Sequence, residues 1–258
     1  MEAIGIGDLR IWQNRGEKLE LRRVLLVGLG MAMAATIAAA AQTPKASGVD
    51  ADNPVAQVRN HMSWELGPEA NWGIGLGNRD TFQFFWTGFQ VGKVLTPVVH
   101  AGKFSGQFEL GGNINPLWLG FTPPPHVAGY TCDGVPCQLP TGGGTFHGVS
   151  LTPLILRWNF LTHSPRIQPW FQAAGGLIYT THKYPPNYLS NPAKGLDGGT
   201  SVWNFAPQGG FGVHYFLRPK RSIDFGVNAV HISSSSLGDR NPGVNASIQI
   251  QAGYTFWK

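Results

Sequence analysis

The sequence predicts an all-β protein, an eight-stranded antiparallel barrel that crosses a membrane with its strands. Three observations predict it. Eight runs of alternating apolar and polar residues follow residue 57. They are longer than the five or six residues of an ordinary globular strand and nearer the roughly 9–11 needed to cross a bilayer at a tilt. Of 258 residues only 13% are charged, while 12% are aromatic and 35 are glycine, and the mean hydropathy is -0.08. Alternating faces cancel in such an average, whereas a stack of transmembrane helices would raise it. Finally, after the first hairpin the connections alternate between short and long, as in outer-membrane barrels with short periplasmic turns and long external loops.

The elements follow in order. Arg22 and Arg23 precede VLLVGLGMAMAATIAAAA. A basic region, an apolar region and small residues up to Gln42 make residues 1–41 a cleaved secretory signal peptide with an extended basic region. An uncleaved membrane anchor is the other reading of the apolar run. The segment holds five basic and four acidic residues, so its removal lowers the formal net charge only from +5 to +4. So mild a balance gives no reason to expect a nucleic-acid surface. Residues 42–56 read as a polar linker, and 57–258 as the barrel. Its strands fall at about 60–76, 81–96, 105–118, 146–161, 167–182, 200–217, 222–235 and 245–257. In the last, Ile248, Ile250, Ala252, Tyr254 and Phe256 share one face, and Gln249, Gln251, Gly253 and Thr255 the other. Aromatic residues gather toward strand ends, as a membrane girdle requires. The polar face carries amides and glycine, which suits a packed interior better than a surface in water.

Eight strands enclose a space that the barrel's own side chains fill. A solute pore is therefore not expected, and chemistry belongs on the outside or in the loops. Glu109, Arg157 and His214 lie on the polar face and are expected to form an internal network. Cys132 and Cys137 bracket DGVP in a Gly/Pro-rich loop. An exported pair this close is a candidate loop disulfide, and too few ligands surround it for a metal site. No cofactor is expected.

One stretch stands out, FGVNAVHISSSS. His231 and Ser233 share a strand face with Ile223, Phe225, Val227 and Ala229, at the outer end of the seventh predicted strand. That face meets lipid, where an unpartnered imidazole or hydroxyl costs a few kcal/mol. Positions two apart on a strand lie roughly 6.5–7 Å from one another at Cα, which lets a base and an alcohol approach. Such a pair is the minimum for acyl transfer. The plainer reading is an interfacial histidine before a serine-rich loop.

Phe225, His231, Ser233 and the following Asn241, Pro242 and Gly243 resemble the PagL-type lipid A 3-O-deacylases, with the closest match over residues 225–258. The resemblance implies an outer-membrane serine esterase, exported and membrane-embedded, that removes an acyl chain from the lipid A of lipopolysaccharide without a cofactor. It makes His231 the general base and Ser233 the nucleophile. The family's third member, a glutamate fourteen residues after the histidine, is Asn245 here, which is expected to hydrogen-bond to the imidazole. Ser234 stands where the family has Asn, as a candidate oxyanion donor. These departures keep open a second reading, a non-catalytic small barrel whose loops bind a surface partner or which is structural.

Overall fold

Alternation with a period of two folds into eight long strands that close on themselves. The computed structural model describes residues 53–124, 126–132, 134–141, 143–186, 199–235, 237 and 245–258. The expected signal peptide, most of the linker and Asn241-Pro242-Gly243 lie outside the described residues. In chain order the elements are α1 (Pro54–His61), β1 (Trp64–Gly75), β2 (Gln83–Val94), β3 (Gly106–Phe121), β4 (His126–Cys132), β5 (Val135–Thr141), β6 (Thr145–Phe160), β7 (Ile167–Pro186), β8 (Gly199–Arg218), β9 (Arg221–His231) and β10 (Ala246–Trp257). All barrel strands run antiparallel to their neighbours, in the cyclic order β1-β10-β9-β8-β7-β6-β3-β2. β1 closes the cylinder against β10, with Trp72 opposite Ile250. β4 and β5 form a separate hairpin within the long connection between β3 and β6. Where Pro116 and Pro153 interrupt β3 and β6 the register shifts, because proline has no N–H to give the ladder.

The apolar face is the outer one. Ile250 is 55% exposed, while Gln249 and Gln251 beside it are 0% and 5% exposed. Phe89, Phe171, Phe211 and Phe225 repeat this around the wall. An exterior of this kind is matched by hydrocarbon, and the polar residues turned inward then need partners from one another.

They find them. Arg157 donates through one nitrogen to Glu65 at 2.8 Å and Glu109 at 3.0 Å, and its Nε and Nη2 both reach Gln172 Oε1. From there, side-chain amides relay across the lumen: Gln172 to Asn228, Asn228 to Gln251 and Gln251 to Glu69, each at 2.9 Å. Nearer the short-turn end, Asp224 accepts from Ser222 and Thr255 and pairs with His214 Nδ1 at 2.7 Å. Glu109, Arg157 and His214 thus sit in an internal network, as expected.

Apolar layers lie above and below this network. Toward the long-loop end, Phe82, Phe84, Trp86, Trp118, Phe146, Tyr184 and Ile232 fill the interior, with Trp118 and Tyr184 edge to face at 5.5 Å. Between plug and network, a cavity of about 10 Å³ touches Asn113, Asn115, Trp118 and Gln208, room for about one water. At the other end α1 packs Val55 and Val58 against Val94, Phe216 and Trp257. The sequence predicts a linker through residue 56 and a strand from about 60. Instead Asn53 Oδ1 caps the helix by accepting from Ala56 N–H at 2.9 Å, Pro54 occupies its first turn, and Met62 ends it at φ 45°. Two valines on one side of a single short helix set no visible period, so only the cap signalled it.

Candidate active site

The outward row of β9, Ile223, Phe225, Val227 and Ala229, ends in His231, whose Cα partner is Ala246 on β10. The ladder then continues for one more bond, from Ile232 N–H to the Asn245 carbonyl at 2.8 Å. The chain next leans on β8. Ser233 and Phe205 exchange both backbone hydrogen bonds, at 2.7 and 2.9 Å. These bonds keep Ser233 on the outward face with His231, and both side chains are half-buried. β7 and β8 set the depth of the pair. Leu177 lies opposite Phe205, and Tyr179 opposite Trp203 one step further out, with ring centroids 4.9 Å apart. An aromatic belt of this kind marks the boundary of the hydrocarbon. A hydroxyl and an imidazole at that level keep access to headgroups and water, which avoids most of the burial cost.

A tight turn follows Ser233. Ser235 adopts φ 52°, a left-handed conformation that costs a non-glycine residue on the order of 1 kcal/mol. Its N–H donates to Ser233 Oγ at 3.2 Å, and Leu237 N–H donates to the Ser234 carbonyl at 2.9 Å. The hydroxyl of Ser233 is thereby steered by the turn rather than by His231. No hydrogen bond joins the two side chains, and the imidazole has no hydrogen-bond partner among the described residues. Bonds of this kind often tighten only when substrate is bound.

The other two residues singled out from sequence face the opposite way. Asn245 is buried on the inner side, and its Oδ1 accepts from Arg79 Nε at 2.9 Å. The expected bond from Asn245 to the imidazole is not formed. The reason is parity: Ala246, not Asn245, lies opposite His231, so position 245 points inward with Ser247 and Gln249. Ser234 is also inward and fully buried. Its Oγ has no partner among the described residues, and it does not reach the outer face that an oxyanion donor must serve.

Arg79 was not legible in the sequence, where GNRD reads only as a hairpin turn. Folded, it is 3% exposed and lies over the Phe82 ring at 4.9 Å. It ties the β1–β2 turn to the start of β10. Cys132 and Cys137 stand on one face of the β4–β5 hairpin at diagonal register positions, opposite Val135 and Tyr130. Their side chains lie outside the described residues, as does Asp239. Glu65, Glu109 and His214 bring possible metal-ligand atoms within 4.8 Å of one another. Arg157 already bridges the two carboxylates, so this is an ion-paired lumen cluster, remote from the outer face.

Similar folds among solved structures include the outer membrane enzyme PagL, at 14% identity over 74% of this chain and 98% of that one, with a TM-score of 0.37. The N-terminal β-barrel domain of Pseudomonas aeruginosa OprF follows at 12% identity, with 74% and 97% coverage and a TM-score of 0.36. OprG from Pseudomonas aeruginosa shows 11% identity, 76% and 93% coverage and a TM-score of 0.35. No curated protein matches the sequence. The family described as PagL, lipid A 3-O-deacylase, matches residues 127–255, half of the chain and all of the wall from β6 to β9. A match of that extent on a closed barrel with a lipid-facing exterior makes this chain a member of the PagL lipid A 3-O-deacylase family, resident in the bacterial outer membrane.

Proposed function

We propose that the protein hydrolyses an acyl ester of lipid A in the outer leaflet, with Ser233 as nucleophile and His231 as general base. The observation that carries this reading is the shared outward row of the two side chains, level with the aromatic belt. At that depth an ester bond of lipid A, at the border of sugar and hydrocarbon, lies beside the wall without leaving the membrane. Ser233 Oγ attacks the ester carbonyl as His231 takes its proton. The C–O bond to the sugar breaks, and the imidazolium returns the proton to the departing sugar oxygen. Water, deprotonated in turn by His231, then releases the fatty acid from Ser233. With Asn245 turned inward, the base works without an orienting carboxylate at that position, which in triads lowers turnover by up to about 10⁴-fold.

The test is mass spectrometry of lipid A from bacteria expressing the protein. Loss of one hydroxyacyl chain, abolished in Ser233→Ala and in His231→Ala, is the expected result. Unchanged lipid A beside a folded wild-type barrel overturns the proposal. A second reading, a non-catalytic barrel, is favoured by the inward Asn245 and the absence of a carboxylate beside His231 among the described residues. It predicts that His231→Ala alters nothing, whereas exchanging the long loops alters surface binding.

A further inference from the structure

The rim at the short-turn end of the barrel is basic. Lys93, Lys103, Arg166, Arg218, Lys220 and Arg221 are exposed or half-buried there. The acidic side chains of the same strands, Glu65, Glu109 and Asp224, are buried in the lumen and paired. Among the described residues no acidic side chain is exposed at this end. Four of the cations are concentrated in one sector. Arg218, Lys220 and Arg221 crowd the turn between β8 and β9, and Arg166 joins them by donating from Nη1 to the Leu217 carbonyl at 3.2 Å.

Aromatic rings of the outer wall support the edge of this sector. Arg221 lies 4.4 Å over Phe256, and further round the wall Lys93 lies 5.2 Å from the Trp64 ring centroid. Arg221 donates one N–H to the Lys220 carbonyl and Lys93 one to the Met62 carbonyl, both at 2.6 Å, and their remaining donors stay available. A cation held over a ring at the hydrocarbon boundary keeps its stem in lipid and its charge at headgroup depth.

We propose that this rim sector, formed by Arg166, Arg218, Lys220 and Arg221, binds the headgroup phosphates of anionic phospholipid in the periplasmic leaflet. Charge complementarity carries the assignment: clustered guanidiniums match phosphate in a forked geometry, and among the described residues no carboxylate side chain competes for them. Short turns mark this end as periplasmic. The inference is independent of the deacylase reading, because the lipid-facing edge concerned is at the opposite end from His231 and Ser233.

Native mass spectrometry of the purified full barrel, released from micelles containing equal phosphatidylglycerol and phosphatidylcholine, tests it. Each cation near an anionic surface contributes about fivefold to binding. The wild type should therefore retain phosphatidylglycerol at least about tenfold over phosphatidylcholine. The variant R166Q/R218Q/K220Q/R221Q should lose that preference. R218Q/K220Q, which alters two exposed side chains, should lose part of it and guards against misfolding of the larger variant. Equal retention of the two lipids by the wild type, or an unchanged preference in both variants, overturns the proposal. So does a rim that binds purified peptidoglycan through these cations while showing no lipid preference.

Discussion

The wall of this barrel carries polar groups on both faces, and the two sets are treated oppositely. Inside, Arg157, Glu65, Glu109, Gln172, Asn228, Gln251 and Glu69 form a relay in which each member bonds at least one other across strands. Outside, His231 and Ser233 share a face at the belt, and the imidazole has no described partner. In a low-dielectric surround, a network that ties strands together in this way rigidifies the fold. Groups left with spare hydrogen-bonding capacity are instead available to a substrate. The contrast separates polar residues that hold the cylinder from those that can act on lipid.

Substitutions break that comparison in graded ways. Ser233→Ala should cut deacylation by about 10³-fold or more while shifting stability by less than about 0.5 kcal/mol, read by lipid A turnover and by urea unfolding in micelles. Arg157→Met should do the reverse. It leaves two buried carboxylates without their partner and should cost about 3–5 kcal/mol in the same unfolding assay. Arg79→Gln lies between these, since it removes a charged donor from Asn245 and should cost about 1.5–3 kcal/mol. Hydrogen exchange should show its loosening concentrated at the start of β10. The smallest effect sharpens the parity argument. Ala246→Glu puts a carboxylate opposite His231 and should raise turnover about tenfold, whereas Asn245→Glu meets Arg79 inside and should bring no gain. A gain from Asn245→Glu alone would show that position 245 reaches the outer face during turnover.

The strands were legible because a lipid-facing wall enforces a strict period of two, so that Ile248, Ile250 and Phe256 announce their face. The eight expected strands correspond one to one with those that form, and the differences lie at their ends: β1 starts later, displaced by α1, β7 runs on to Pro186, and β9 stops at His231 rather than at 235. The outward position of His231 and Ser233 was legible for the same reason. The orientation of Asn245 was not, because parity is lost on passing through a loop, and only the pairing of β10 with β9 restores it. Counting fourteen residues from the histidine landed one step from the residue that faces it. The hairpin β4–β5 was hidden in a stretch whose prolines and glycines read as irregular.

The layered interior has a consequence for the cell. With an aromatic stopper above, a bonded polar middle and a helix below, the described residues of the cylinder leave no conduit for ions or small hydrophilic toxins. Copies can therefore accumulate in the outer membrane without making the envelope leaky, so permeability sets no ceiling on the abundance of the protein.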